Sequence, residues 1–247
     1  MARYKRVLLK LSGESLKGAR EFGLDPDAVG YVAGQVAEAA KTGLQIGIVV
    51  GGGNIWRGAD YEAAGMDRST ADSAGMLATI INSLALQDAL ERCGLEVRTQ
   101  TAIAMSTVAE PYIRRRAIRH FEKGRLVIFA GGTGSPYMST DTAAALRALE
   151  VNADVLWMAK NKIDAIYTSD PNIDKSALKL GHITYLDALQ RRVSALDSTA
   201  LSMCMDNGLP IVVFDLFKPG NLLRILGGED IGTLISDTAA ESVKQTV

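Results

Sequence analysis

Histidine, cysteine and proline are scarce in this chain, and each scarcity closes off a class of function. Its 247 residues include two histidines, two cysteines and six prolines. His120 and His182 are too few and too far apart for a histidine metal site, so any metal is expected to be held by oxygen ligands. Cys93 and Cys204 sit in helical patterns with no Cys or His at ligand spacing, and both read as reduced core residues. Without a proline-rich stretch, repeat or low-complexity segment there is no tether between domains, and residues 1–247 read as one domain. Charge of one sign is also lacking: 27 Lys and Arg face 28 Asp and Glu, a net of −1. A broad polyanion-binding face is therefore not expected, nor is nucleic acid as a partner. The one basic cluster, Arg114, Arg115, Arg116, Arg119 and His120, belongs to an amphipathic helical pattern with a solvated or subunit-contacting face. No run reaches the roughly 18 apolar residues of a membrane span, and Met1 to Lys10 has no charged segment followed by a long apolar one. A cytoplasmic protein without a membrane partner is expected. Two phosphate motifs are missing as well. No Gly-Lys pair exists, which excludes the Walker A loop, and Trp56 stands where the third glycine of G-x-G-x-x-G would follow Gly51 and Gly53.

What is present is a set of short apolar runs alternating with helical patterns. Val7-Leu9, Ile46-Val50, Leu126-Phe129, Asp154-Trp157 and Ile211-Phe214 are too continuously apolar for a sheet wetted on one face. They predict buried strands of a largely parallel sheet in a three-layer αβα sandwich, with strands and helices alternating throughout. Helix starts are legible at Asp25-Pro26-Asp27, a cap before a first-turn proline, and at Thr184 with Asp187.

In such a sheet, ligands collect at the carboxyl ends of the strands. Four exits carry unusual chemistry. The first is Lys10-Leu11-Ser12-Gly13-Glu14; the second is Gly51-Gly52-Gly53-Asn54 with Arg57-Gly58, where glycines let backbone amides approach an anion and Arg57 adds a planar donor fork. The third, Gly131 to Asp141, combines amides, hydroxyls and Tyr137 and opens a helix at Ser139 or Thr140. The fourth runs from Ala159 to Pro171. Each alone reads equally as turn chemistry. Together, lysines, an arginine, amides and carboxylates on one sheet edge are what phosphoryl transfer requires.

These same segments closely resemble the successive motifs of the bacterial uridylate kinases, in the amino acid kinase superfamily, from about Tyr4 to Ile235. The resemblance implies transfer of the γ-phosphoryl of Mg-ATP to UMP in pyrimidine nucleotide biosynthesis, with Mg2+ carried by the nucleotide. It assigns Lys10, Leu11, Ser12, Gly13, Gly53, Arg57, Asn161, Tyr167 and Asp170 to ATP. It assigns Gly52, Asp72, Thr133, Gly134, Ser135, Pro136, Tyr137, Met138, Ser139 and Thr140 to UMP. The acceptor thus lies mainly in the N-terminal half and the donor mainly in the C-terminal half. For Asp72 the competing role is a helix N-cap after Ser69-Thr70. The catalytic set is Lys10, Arg57, Asp141 and Lys162, with Lys160 the alternative to Lys162 and a helix N-terminal charge the alternative role for Asp141. Allosteric homohexamers, activated by GTP and inhibited by UTP, are also implied. The segment Gly18, Ala19, Arg20, Glu21, Phe22, Gly23 resembles a stretch linked to GTP activation, whereas Gln87 and Glu91 depart from the basic character some members show near the effector site. A carboxylate- or carbamate-phosphorylating kinase of the same fold, and a non-catalytic nucleotide- or oxyanion-binding relative, are the rival readings.

Overall fold

The computed structural model describes residues 3–161, 163–169, 173–193 and 196–237. Each apolar run forms a strand, buried on both faces because alternate side chains feed two separate cores. In β1 (Arg6–Leu11), Val7, Leu9 and Leu11 enter one core and Leu8 the other. A 3-10 turn (Gly13–Leu16) follows, then α1 (Pro26–Ala40), whose cap is Asp25: its carboxylate accepts from the N–H groups of Asp27 (2.9 Å) and Ala28 (3.2 Å). In β2 (Gln45–Val50), Ile46, Ile48 and Val50 face the first core and Val49 the second. Full burial of each such side chain contributes about 1.5–3 kcal/mol, which is why these runs carry no polar face.

The chain continues through α2 (Gly58–Ala63) and the long α3 (Arg68–Arg92), then β3 (Val97–Thr101) and β4 (Glu110–Pro111). Next come α4 (Arg114–Glu122), β5 (Leu126–Ala130), α5 (Thr140–Glu150) and β6 (Val155–Lys160). A small antiparallel hairpin, β7 (Ile166–Tyr167) with β8 (Lys179–Leu180), precedes β9 (His182–Ile183), α6 (Tyr185–Gln190) and α7 (Ser198–Asp206). Thr184 caps α6, its hydroxyl accepting from the Asp187 N–H at 3.1 Å. β10 (Ile211–Asp215), α8 (Asn221–Leu226) and β11 (Thr233–Ile235) close the described chain.

The main sheet has the order β4-β3-β5-β2-β1-β6-β10-β11-β9. Every neighbouring pair is parallel except β10 with β11. Gly232, at φ +81°, permits that reversal, since a Cβ there would meet the Val213 carbonyl oxygen at 2.0 Å. α1, α8 and the second half of α3 cover one face, and α4 to α7 the other. The predicted three-layer arrangement is therefore observed.

Two expectations need correction, and one strand has no counterpart among them. β3 was not anticipated because its sequence, Val97-Arg98-Thr99-Gln100-Thr101, lacks an apolar run; its polar side chains are buried by pairing, Thr99 Oγ1 donating to Gln87 Oε1 (2.7 Å) and Gln100 Nε2 to Glu110 Oε2 (3.2 Å). Strands and helices do not alternate throughout, since β3 passes to β4 without a helix. Cys93 is exposed at the C-terminal end of α3, where the chain leaves the helix through Gly94 at φ +84°; only Cys204 lies in the core.

Candidate active site

The parallel arrangement of β1, β2, β5 and β6 brings the ends of these four strands to one edge of the sheet, and the deepest group there is a lysine. Lys10 stands near the end of β1 and Asp141 in the first turn of α5, with Lys10 Nζ 2.7 Å from Asp141 Oδ1. Their side chains are only 8 % and 16 % exposed. The approach is that of an ion pair without the angle of a directed hydrogen bond, and no hydrogen-bond donor is aligned on Oδ1. Lys160, the last residue of β6, lies within electrostatic reach of this pair. Burial holds its ammonium below the ordinary lysine range; Asp141 pulls the value up, and the Lys10 charge pushes it down further. One carboxylate thus pairs with Lys10 and acts on the charge of Lys160 in a desolvated recess, where charge on a ligand is felt strongly.

The three glycines of the second exit have different roles, and none of the three needs positive φ. Gly51 packs against the Lys10 turn: a Cβ would lie 3.2 Å from the Gly13 nitrogen and 3.4 Å from Thr140 Oγ1. Gly52 packs on α3, 2.8 Å from the Gly75 carbonyl oxygen by the same measure, whereas Gly53 faces open space. Gly53 leaves its Cβ side open, while Gly51 and Gly52 turn theirs onto the Gly13 turn and α3. Arg57 stands on the rim with its side chain 56 % exposed, donating to the Gly53 carbonyl oxygen (3.2 Å) and to Glu14. Glu14 also meets Lys17 at 2.5 Å. Burial raises the Glu14 pKa, but hydrogen bonds from Lys17 and Arg57 outweigh it and leave the carboxyl below its ordinary range.

Beside this loop lies a cleft of about 160 Å³ between α3 and the third exit. Of the residues predicted for the acceptor, Gly52, Asp72, Ser135, Met138 and Thr140 line it. Thr133, Gly134, Pro136 and Tyr137 complete the adjoining loop, with the Ser135 N–H donating to Thr133 Oγ1 at 3.2 Å. Asp72 is not a cap: Asp67 caps α3, accepting from the Thr70 N–H at 2.9 Å, and Asp72 lies in the second turn. Its Oδ2 accepts from Arg68 Nε (2.9 Å) and from the Tyr137 N–H (2.8 Å). Tyr137 holds φ +66°, a left-handed conformation that costs a tyrosine about 1 kcal/mol, and Arg68 lies over its ring at 5.4 Å. Ser139 turns away to cap α5 and donates to Asp197, which itself caps α7 through the Ala200 N–H (2.8 Å).

Sequence reasoning missed Trp56, Met76 and Thr79, which also line the cleft. Trp56 stacks flat on Tyr61, ring centroids 3.6 Å apart, and its indole N–H donates to the Ala71 carbonyl oxygen at 2.9 Å. Thr79 Oγ1 accepts from the buried Gly131 N–H at 2.9 Å, tying the third exit to α3. The spacing Asp72, Gly75, Met76, Thr79 is one helical face and was the available signal.

At the fourth exit Asn161 is half-buried just past β6, and Tyr167 ends β7 with its hydroxyl donating to Asp164 Oδ1 at 2.8 Å. Asp164 in turn meets Lys218 (3.1 Å) and Lys179 (3.7 Å). Lys162, Asp170 and Pro171 lie outside the described residues. The side chain of Leu11 is fully buried in the core, and its carbonyl oxygen accepts from the Gly51 N–H at 2.9 Å, so it joins loops rather than facing the recess. The segment Gly18 to Gly23 is docked on the glycine loop: the Gly23 N–H donates to the Asn54 carbonyl oxygen (2.7 Å), while Phe22 projects outward. Gln87 and Glu91 bond to each other at 3.0 Å. Among the described residues no cluster of three or more His, Cys, Asp or Glu side chains could hold a metal, and no helix is long and apolar enough to cross a membrane.

The amino acid kinase family profile matches residues 5–215. Among solved structures, the chain resembles the UMP kinase of Bacillus anthracis with a TM-score of 0.93 and 42 % identity, covering 96 % of this chain and 97 % of that one. The UMP kinase of Ureaplasma parvum gives 0.89 and 35 %, covering 94 % and 99 %. The uridylate kinase of Archaeoglobus fulgidus gives 0.72 and 25 %, covering 96 % and 100 %.

Proposed function

The chain belongs to the amino acid kinase family, and from that premise we propose that it is a UMP kinase, transferring the γ-phosphoryl of Mg-ATP to UMP. One observation carries this: Thr140 lines the cleft while the next residue, Asp141, holds Lys10, so a single helix start joins the acceptor cleft to the cationic recess.

In this reading a UMP phosphate oxygen attacks the γ-phosphorus in line. The bond from that phosphorus to the β,γ-bridging oxygen breaks, and ADP leaves. A phosphate monoester has a second pKa of about 6, so no general base is needed. Lys10 and the second lysine neutralise charge on the moving group and the leaving oxygen, Asp141 fixes the Lys10 ammonium, and the Gly53 backbone with Arg57 supplies donors at the rim. The second cation is Lys162 or Lys160, and the charges of Lys10 and Asp141 acting on the Lys160 ammonium support Lys160 in that role. Mg2+ enters with the nucleotide, as an ion that keeps phosphate ligands rather than a protein cage. Asp72 and the loop from Thr133 to Thr140 hold UMP; Asn161, Tyr167 and Asp170 hold ATP.

The chain then works as one unit with a mainly N-terminal acceptor side, in pyrimidine nucleotide biosynthesis. A cytoplasmic location fits its two unpaired thiols. Self-association, as a homohexamer requires, is supported by Leu77, Ile81 and Leu84, exposed on one face of α3. GTP activation through Gly18 to Gly23 is supported by the docking of that segment on the glycine loop, and UTP inhibition by the acceptor cleft itself. ADP release measured with UMP, CMP, dUMP, glutamate and aspartate, each with and without GTP, tests the whole reading. Turnover with UMP is expected; turnover with an amino acid and none with UMP would overturn it.

A further inference from the structure

Two irregular loops, the turn at Gly13 and the run Gly51 to Gly53, have to stand at a fixed distance from α3 if a donor and an acceptor are to meet between them. Buried loop backbone keeps its place only where its polar groups are paired. Here the pairing comes from two buried asparagines, Asn54 and Asn82, 3 % and 0 % exposed.

Asn82 Nδ2 donates to the Gly51 carbonyl oxygen (2.6 Å) and to Asn54 Oδ1 (2.7 Å). Asn54 Nδ2 donates to the Gly23 carbonyl oxygen (2.8 Å) and to Asn82 Oδ1 (3.1 Å). The two backbone carbonyls accept only, so they fix which edge of each amide carries the nitrogen. Gly13 closes the arrangement, because a Cβ on it would lie 2.3 Å from Asn54 Oδ1 and 2.8 Å from the Gly51 carbonyl oxygen. Asn82 belongs to the same helix as Asp72 and Thr79, which line the acceptor cleft.

We propose that Asn54 and Asn82 are positioning residues: their reciprocal amide pair sets the distance between the donor-phosphate loops and the acceptor helix, and binds the segment 18–23 into the same rigid unit. Neither side chain reaches the reacting atoms, so the pair acts through Gly51 and Gly13. The proposal rests on the UMP kinase reading.

A displacement of about 1 Å in a phosphoryl-transfer site costs on the order of 10²-fold in rate. Asn82→Ala is therefore expected to lower kcat about 10²-fold, with KM for UMP and ATP changed by less than about threefold. Because the pair acts as a unit, Asn54→Ala with Asn82→Ala together should lose about as much as either alone. Leu209→Ala, a cavity in the second core beside the amino-terminal end of β10, should lower Tm comparably and leave kcat unchanged. Wild-type kcat in folded Asn82→Ala, or losses that multiply in the double variant, would overturn the proposal. If Asn82→Ala is recovered unfolded, Asn54→Ser gives the same readout. Amide hydrogen exchange across Gly51 to Asn54 is read in the same variants and needs no substrate. Faster exchange supports the clasp and unchanged exchange refutes it, even if the wild type proves inactive on UMP, which would refute the underlying reading by itself.

Discussion

Lys10 and Arg57 serve the same proposed chemistry from opposite surroundings. Lys10 lies on the floor of the recess, desolvated and pinned by a buried carboxylate; Arg57 lies on the rim, more than half exposed, and shares Glu14 with Lys17. A cation that already stands where charge develops, in a medium that cannot reorganise, stabilises a transition state most. One that must first leave a surface partner gives up part of its gain in the exchange, and water screens the rest. In the proposed reaction the floor serves rate and the rim serves capture.

The distinction is sharpest at the floor. Lys10→Ala is expected to lower kcat about 10³-fold, the scale of removing a preorganised charge-stabilising donor, while UMP affinity measured by calorimetry barely moves; unchanged turnover in a coupled ADP-release assay would remove Lys10 from the mechanism. Asp141→Asn leaves two neighbouring lysines without their counter-charge. It should cost about 10²-fold in kcat by misplacing the Lys10 ammonium and about 3–5 kcal/mol of stability, as breaking a buried pair does. Urea titration reads the second figure, and a loss under 1 kcal/mol would make floor and rim alike.

At the rim the effects shrink. Arg57→Lys should lower kcat/KM about tenfold, because a point charge cannot reproduce a planar fork; if both kinetic parameters survive, Arg57 is a bystander. Glu14→Gln should cost less than about 1 kcal/mol at neutral pH, as surface pairs do. The pH dependence has a definite sign. The folded-state pKa of Glu14 is depressed, so its contribution is present above the unfolded value of about 4.3 and is lost as pH falls through the folded one. Melting curves of wild type and Glu14→Gln should therefore converge in acid. A gap that widens there would contradict the assigned hydrogen bonds.

The same contrast governs what could be read from sequence. Val7 to Leu9 and Ile46 to Val50 announce their strands because both faces of each are apolar. β3 does not, because Thr99 and Gln100 are buried by specific partners, Gln87 and Glu110, that only the folded chain brings together. Lys10 and the glycine loop could be found from their places at strand ends. Trp56 and Thr79 could not be found from type alone, since a tryptophan or a threonine reads as ordinary packing until a cleft forms beside it. The asparagine pair was hidden further, because Asn54 and Asn82 belong to different elements and their meaning lies in facing each other. The glycines carry a second meaning that the sequence alone hides: at Gly51 and Gly52 the missing Cβ also lets backbone pack against backbone.

The central place of β1 has a consequence in time. It is made before both of its neighbours, and β2 can flank it early, but β6, its other neighbour, and Asp141, which neutralises Lys10, are translated much later. At ribosomal speeds of about 5–20 residues per second, the wait is on the order of ten seconds. During that interval one edge of β1 has no strand to pair with, and its lysine has no carboxylate. The first third of the chain therefore cannot bury its own centre, and closure of the sheet is tied to arrival of the second half.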